Sequence, residues 1–253
     1  MNKRKVGSKN PNTSYSPAKQ EYSSPQAAMQ LSAKGFLVLL KQMEGNLKNC
    51  HYHVIEAVCI GNEFFKFSIH LGYGVFENGL SFKGLQDLTY LSLGNSTINR
   101  TLRIEESRIG FLRFGSSAIH GQVSLDDITS KGIDFGRARF NGEGSMNKVY
   151  STGPLNLGEA VFQSELSLED IGAESINAGS ANLGKLTLKE LYFEYFYTGT
   201  ATASKVTIQG SKHTPKENLL DTSRIHNQKG APLQNSLATR LTLAMEEMKD
   251  RDY

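Results

Sequence analysis

A short apolar triplet recurs along most of this chain and constrains its fold more than any other feature. In LSLGNSTINRTLRIEESRIGFLRF (residues 91–114), the pattern apolar, polar, apolar occurs three times at intervals of eleven and ten residues. The triplet continues in both directions, from VCI (residues 58–60) to VTI (residues 206–208), with a weak member at GSM (residues 144–146). Because the outer residues of such a triplet share one side of a strand, the sequence predicts a long series of short strands.

A second apolar residue precedes most triplets by three to five positions, and a small residue often lies two positions before it. The second apolar set comprises Phe65, Phe76, Ile98, Ile109, Ile119, Ile128, Phe140, Phe162, Ile171 and Leu183. The small set comprises Gly74, Ser96, Ser107, Ser117, Ala138, Ala160 and Ala181. In a narrow coil a second large side chain would overpack the interior, so both sets are predicted to point inward.

Two successive triplets span about 21 residues, the length of one coil of a parallel β-helix whose coils stack at about 4.8 Å. An antiparallel sandwich would need regular hairpin turns. At the regular turn positions, Asn-Gly occurs only at Asn78-Gly79 and Asn141-Gly142. The sequence therefore predicts an all-β protein, a parallel β-helix of seven to eight coils with flanking helical segments.

The segments EESRI, GSSAI, GRARF, GEAVF and GSANL resemble the repeats of pentapeptide-repeat proteins. The five-residue unit of that family has a small residue, a polar residue and then a central Leu or Phe. The resemblance covers residues 58–208 and implies a right-handed, quadrilateral β-helix. It also suggests topoisomerase binding through mimicry of DNA, and dimerisation at a C-terminal module, which occurs in some members.

The patterned region and the prolines divide the chain into five parts. We predict a disordered basic tail (1–24), an N-terminal cap (25–57), the β-helix (58–208), a polar linker (209–235) and a C-terminal helix (236–253). In the cap, five apolar residues fall near one helical face: Met29, Phe36, Leu40, Met43 and Leu47. The C-terminal helix begins after Ser236, a suitable N-cap, and carries an apolar stripe. This stripe comprises Leu237, Leu241, Ala244, Met245 and Met248.

The C-terminal stripe has two interpretations. The first is a cap that packs on its own domain. The second is an interface for a protein partner, formed by Leu237, Leu241, Met245 and Met248. A homodimer through this helix or through an end of the rod follows from the second interpretation.

Motifs for catalysis are missing: the chain has no phosphate loop, no Gly-x-Ser-x-Gly elbow and no HExxH. Zinc needs about four converging ligands. His51 and His53 would share one side of a strand while Cys50 points away, and Cys59 is the outward residue of the first triplet. We therefore assign no catalytic residue, no metal and no cofactor, and predict that the protein is not an enzyme.

Acidic pairs follow three triplets at equivalent places, at residues 105–106, 126–127 and 169–170. Stacking is predicted to bring Glu105 and Asp126 onto adjacent coils, with Glu169 further along the rod. Such carboxylates leave a carbohydrate-active enzyme as one alternative. The preference of turns for Asp and Glu, and the lack of loop excursions that would build a cleft, favour a structural role.

The 28 basic and 25 acidic residues are unevenly distributed. Residues 1–48 carry eight Lys or Arg and two Glu, residues 80–139 carry eight basic and six acidic groups, and residues 140–194 carry eight acidic and three basic groups. A DNA mimic should be acidic along its length, so only one half of the rod fits that alternative. Four arginines are predicted to point outward and to form a basic strip: Arg100, Arg103, Arg108 and Arg113. Nucleic acid is not the partner that we expect.

No stretch reaches the eighteen or so apolar residues needed to span a bilayer, and no Sec-type signal is recognised. Two cysteines do not make a disulfide framework. We expect a cytoplasmic protein, with secretion into a host cell through a specialised system as the alternative, because residues 1–30 are rich in Ser, Asn, Gln and Pro. The preferred prediction is a non-enzymatic scaffold or protein-binding protein, of which a secreted bacterial effector is one version.

Overall fold

A computed structural model of the chain describes residues 28–61, 68–209, 225–226 and 237–251. Within these residues the helices are α1 (Ala33–Gln42) and α2 (Leu237–Arg251). The strands are β1 (Met29–Leu31), β2 (His51–Val54), β3 (Val58–Gly61), β4 (Ser68–His70), β5 (Tyr73–Phe76), β6 (Leu80–Lys83), β7 (Leu88–Ser92), β8 (Thr97–Ile98), β9 (Leu102–Arg113), β10 (Ala118–Ile119), β11 (Val123–Asp134), β12 (Arg139–Phe140), β13 (Gly144–Ser151), β14 (Leu155–Asn156), β15 (Val161–Asn177), β16 (Asn182–Tyr197), β17 (Thr202–Gln209) and β18 (Ile225–His226).

The paired strands of successive coils run parallel. Leu102 pairs with Val123, Val123 with Gly144, and Gly144 with Leu166, so each coil lies one repeat further along the chain. The result is a β-solenoid of about eight turns with coils of about 21 residues. Stacking at about 4.8 Å per turn gives a rod of roughly 35 to 40 Å. The predicted all-β, parallel β-helical fold is confirmed.

Each turn contributes segments to four columns of strand pairing, which we call the first to fourth faces. In one turn, β8 belongs to the first face. The strand β9 supplies the other three: residues 102–105 belong to the second face, residues 107–109 to the third and residues 111–113 to the fourth. The apolar triplets supply the second and fourth faces. Their outer residues, such as Leu102 and Ile104, are buried, whereas Arg103 between them is exposed.

The interior alternates large and small side chains as the sequence predicted. The Phe114 and Phe135 rings stack with centroids 4.4 Å apart, and those of Phe140 and Phe162 stack at 4.3 Å. The small residues that precede the large ones on the first face are also buried. They are Gly74, Ser96, Ser117, Ala138, Ala160 and Ala181.

Two corners of the coil have left-handed backbone conformations. Between the fourth and first faces the residue is glycine in successive turns, as at Gly94, Gly115 and Gly136 (φ 61°, 60° and 50°). A Cβ on Gly115 would lie 2.5 Å from the carbonyl oxygen of Gly94, so only glycine fits this stack. Between the second and third faces the left-handed residues carry charged side chains instead. They are Glu106, Asp127, Lys148, Asp170 and Glu190.

Helix α1 covers the N-terminal end of the rod. It begins after Ser32, whose Oγ accepts a hydrogen bond from the Gly35 N–H at 3.1 Å. The ring of Phe36 is buried against Tyr52 and Phe76, with both centroid distances at 5.3 Å. Leu40 and Leu47 of the predicted apolar face are also buried, whereas Met29 and Met43 are exposed. Parallel pairing already includes β1 and β2, upstream of residue 58.

Helix α2 covers the C-terminal end. The Leu237 N–H donates to the Ala201 carbonyl oxygen at 2.9 Å, and Leu237, Leu241 and Ala244 are buried where α2 packs on β17. Several predicted features lie outside the described residues: the tail at 1–24, Phe65, most of the linker at 209–235, Ser236, and the side chains of Met245 and Met248. In the described part of the chain, neither helix has the length and apolar character of a membrane span.

Candidate functional site

The histidines and cysteines near the N-terminal end do not converge. The His51 ring stacks on Tyr73 with centroids 4.7 Å apart, and His53 Nε2 lies 2.7 Å from Glu77 Oε1. Hydrogen bonds from Asn99 and His53 hold the pKa of Glu77 below its ordinary value. Among the described residues, no group of His, Cys, Asp and Glu is arranged to hold a metal ion. These contacts join neighbouring turns and are structural.

The stacked carboxylates lie where the repeat predicted, but each has a neighbour of its own. Glu105 pairs in register with Asp126 on the next turn. Lys83 Nζ lies 3.9 Å from Glu105, and Asn147 Nδ2 donates to Asp126 Oδ1 at 2.7 Å. Two turns beyond Asp126, Glu169 forms an ion pair with Lys189. The contacts make a polar ladder along the rod, without an acid and base facing a cleft.

The four arginines are distributed around a single turn. Arg103 lies on the second face, Arg108 on the third and Arg113 on the fourth, with Arg100 just before the second face. Arg108 Nη1 is 3.9 Å from Asp87 Oδ1. A basic strip would need cations at one register position in successive turns, and these four are not so aligned.

An exposed phenylalanine stands at the corner where the third face meets the fourth. Phe111 has an exposed fraction of 47%. Its register column contains Tyr90 on the turn before and Gly132 and Pro154 on the turns after. The Tyr90 and Phe111 ring centroids are 6.4 Å apart. Gly132 is buried, and the Phe111 ring lies over its backbone, since a Cβ on Gly132 would be 3.3 Å from Phe111 Cδ1.

Phe111 separates two open grooves that span the same four turns. The groove on the fourth face has a volume of about 420 Å³ and includes Tyr90, Gly132 and Pro154 in its lining. The groove on the third face has a volume of about 390 Å³ and includes Arg108 and Lys131. Phe111 lines both. We call Phe111 with these two grooves the Phe111 ridge.

The polar acceptors of the fourth-face groove are already engaged. Asp134 Oδ1 accepts from the Gly136 N–H and from Asn156 Nδ2, both at 2.9 Å. Asp134 Oδ2 accepts from Arg113 Nε at 3.1 Å. Asn156 Oδ1 accepts from the Gly158 N–H at 3.0 Å. These bonds repeat from turn to turn and hold the corner rather than leaving acceptors for a ligand.

The donors of the ridge are only partly used. Arg113 Nη1 donates to the Tyr90 hydroxyl at 3.1 Å. Bonds to Tyr90 and to Asp134 raise the pKa of the Arg113 guanidinium, which therefore stays charged. No described residue forms a hydrogen bond with Arg113 Nη2 or an ion pair with Lys131. Arg113 Nη2 and Lys131 are therefore donors that remain available at the ridge.

A second exposed aromatic region lies further along the third face. Tyr150 and Tyr192 are exposed on either side of Gly172, and the Tyr150 ring lies over Gly172. A hydrogen bond to Asp170 raises the pKa of Tyr150 to about 12. The carboxylate of Glu190 is close enough to contribute to the same shift. This region is acidic and contrasts in charge with the ridge.

Sequence reasoning missed the ridge, although the sequence carried a signal for it. Phe111 directly precedes the triplet Leu112-Arg113-Phe114 and is not part of the repeated pattern. Aligning outward positions turn by turn places Tyr, Phe, Gly and Pro in one column. A large residue followed by glycine in the next turn predicts a ring that leans over the glycine, as Phe111 does over Gly132 and Tyr150 over Gly172.

No protein-family model, curated protein or solved structure matches this chain.

Proposed function

We propose that this protein is a non-enzymatic interaction module, a rod that binds a partner protein through side chains of its lateral surface, with the Phe111 ridge as the contact. The observation that supports this most directly is a half-exposed phenylalanine between two grooves on a rod whose ends are both covered by its own helices. Exposed aromatic residues beside a groove are typical anchors of protein interfaces.

The backbone of the rod favours side-chain recognition. Along the sides, the N–H and C=O groups of each turn pair with the neighbouring turns, as between β9 and β11. A partner cannot add a strand to such a surface, because strand addition needs an unpaired edge. At the ends, α1 and α2 cover the interior. Recognition on the sides therefore depends on protruding or recessed side chains.

The alternatives have weaker support. We retain the resemblance to pentapeptide-repeat proteins as an inference, supported by buried small residues such as Ala138 and Ala160 before large ones. Mimicry of DNA has less support because acidic residues are concentrated at 140–194. A homodimer through α2 has less support because Leu237 and Leu241 are buried within the same chain. A cytoplasmic location, or export as a bacterial effector, stays a prediction.

Site-specific photo-crosslinking tests the proposal. Benzoylphenylalanine is placed singly at Phe111, at exposed Arg139 on the first face, at exposed Ser145 on the second face, and at exposed Leu243 on α2. In the cells that produce the protein, we expect a discrete, saturable adduct with another protein from at least one lateral position, and most strongly from Phe111. Adducts from Leu243 alone, or no adduct from any position, would contradict binding through the lateral surface.

The non-enzymatic part has a separate test. Purified protein is expected to leave polysaccharide substrates intact. Cleavage that disappears in a Glu105→Gln, Asp126→Asn variant would replace the proposal with the carbohydrate-active alternative.

A further inference from the structure

We infer that the Phe111 ridge recognises an extended peptide segment in which an apolar side chain lies close to a carboxylate. This inference rests on the proposed function and specifies the chemistry of the partner. It follows from three properties of the ridge: its apolar groove, its unused donors and its length along the rod.

The fourth-face groove supplies an apolar subsite beside the Phe111 ring. It is bounded by Phe111 and Pro154, and the Tyr90 ring continues the apolar surface on the preceding turn. A groove of about 420 Å³ lies at the lower end of the range for ligand sites. An aliphatic or aromatic side chain in this groove would cover the exposed part of Phe111, which removes apolar surface from water.

The charges of the ridge favour a partner that supplies acceptors. Its lining contains three cations, Arg108, Arg113 and Lys131, and two carboxylates, Asp87 and Asp134. Both carboxylate oxygens of Asp134 already accept hydrogen bonds, as described above. The Arg108 to Asp87 ion pair is 3.9 Å long and well exposed, so it holds Arg108 only weakly. A carboxylate of the partner would find Lys131 and the outer edge of Arg113 as donors, whereas a basic segment would face unmatched positive charge.

The length of the ridge suits a short extended segment. The fourth-face groove runs from Tyr90 to Pro154, which are three turns apart. At about 4.8 Å per turn this distance is roughly 14 Å, which four or five residues of an extended chain cover. In such a chain, residues two apart share one side. An apolar residue in the fourth-face groove and an acidic residue two positions away would thus meet the ridge together.

Selection from a phage-displayed library of random dodecapeptides tests this inference on the full-length protein. Parallel selections use the wild-type protein and its Phe111→Ser and Lys131→Glu variants. We expect wild-type selections to enrich peptides with Leu, Met, Phe or Pro within two positions of Asp or Glu. A synthetic peptide from that pool should bind Phe111→Ser at least about tenfold more weakly, as for an interface anchor. The Lys131→Glu variant should bind the same peptide more weakly. Peptides selected on that variant should be enriched in Lys and Arg.

Matched variants on the same rod serve as controls. Tyr150→Ser removes an aromatic residue of similar exposure, 42% against 47% for Phe111, outside the ridge. Lys148→Glu reverses an exposed lysine outside the ridge. Both should bind the selected peptide as the wild-type protein does. Circular dichroism of all four variants is expected to be unchanged because each substituted side chain is exposed.

Three results would overturn the inference: selected peptides that are basic or lack an apolar residue, equal binding to Phe111→Ser, or no enriched peptide. If lateral photo-crosslinks are still found in any of these cases, the proposed function stands and only the partner chemistry is wrong. If lateral crosslinks are also missing, both the partner chemistry and the proposed function are wrong.

Discussion

At the residue scale, the corner between the fourth and first faces depends on direct contact between backbones. Gly94, Gly115 and Gly136 stack on one another, and each has a positive φ. Two separate constraints act there: the left-handed conformation, which costs an L residue about 1 to 2 kcal/mol, and the lack of space for a Cβ. Gly84, which lies between the second and third faces, is subject to the first constraint alone. Its φ is 65°, but no atom lies within 4 Å of the position that a Cβ would take.

We predict that Gly84→Ala lowers the free energy of unfolding by about 1 kcal/mol, the cost of the left-handed conformation alone. Gly115→Ala should cost at least about 2 kcal/mol more, because its Cβ would lie 2.5 Å from the Gly94 carbonyl oxygen and the backbone must shift. Urea denaturation of the two variants measures the difference. Equal destabilisation would mean that the turns separate easily at this corner.

The phenol of Tyr150 provides a second prediction at this scale. Its hydrogen bond to Asp170 raises its pKa to about 12, so the folded state favours the neutral phenol. This contribution to stability is therefore present below the ordinary pKa of 10 and is lost as the pH rises through 12.

Asp170→Asn should lower the pKa of Tyr150 toward 10, because it removes the negative charge beside the phenol. Carbon-13 tyrosine NMR during an alkaline titration measures the shift, with Tyr150→Phe to assign the resonance. A pKa that stays near 12 in Asp170→Asn would show that burial, rather than Asp170, is the main cause.

At the element scale, α2 protects the C-terminal end of the rod through a few buried side chains. Leu241 has an exposed fraction of 3%, whereas Leu243, two residues along the same helix, has an exposed fraction of 47%. Leu241→Asp should detach the helix and lower the free energy of unfolding by about 3 kcal/mol or more, since it places an unpaired charge in an apolar contact. Leu243→Asp should change it by less than about 1 kcal/mol.

Denaturation and sedimentation velocity measure both consequences. The Leu241 variant is also expected to self-associate, because the unpaired strand edge of β17 and the apolar interior become accessible. A stable, monomeric Leu241→Asp protein would argue against a capping role for α2.

The sequence predicted the elements better than it predicted their arrangement around the coil. Alternation along Leu102, Arg103 and Ile104 identifies which side of each strand is buried, because the side-chain period of a strand is two. The same alternation does not give the positions of the corners. Arg103, Arg108 and Arg113 therefore looked like one strip, although they lie on three faces.

The corners were hard to predict because two different kinds of residue adopt the same conformation. A glycine such as Gly115 indicates a left-handed turn because glycine adopts positive φ readily. Asp127 has the same conformation, with φ 53°, but an aspartate in the sequence does not by itself indicate such a turn. The Phe111 ridge was missed for a related reason: its exposure depends on Gly132 and Pro154, which are far along the chain and adjacent only after stacking.

At the scale of the whole molecule, equivalent corners make the turn the unit of the structure. Gly115 and Gly136 occupy the same corner in successive turns. Deleting residues 116–136 joins one corner to the next equivalent position and preserves the stacking of all four faces. Deleting residues 116–126 joins Gly115 to Asp127 and places third-face residues against the first face.

We predict that the full-turn deletion keeps a β-type circular dichroism spectrum and a cooperative unfolding transition, with a rod about 4.8 Å shorter. The half-turn deletion should lose cooperative unfolding, because small and large interior residues no longer alternate. Small-angle scattering and thermal denaturation test the pair. Similar behaviour of the two deletions would contradict turn-by-turn stacking as the source of stability.

The pairing of each turn with only its immediate neighbours also determines how the rod would carry a mechanical load. Tension applied between the two ends would not be shared by all the strands; it would act on the outermost turn until that turn peels away. Each peeled turn of about 21 residues adds roughly 70 Å of extended chain. A protein built in this way would lengthen under force in discrete steps, one turn at a time, instead of unfolding in a single event.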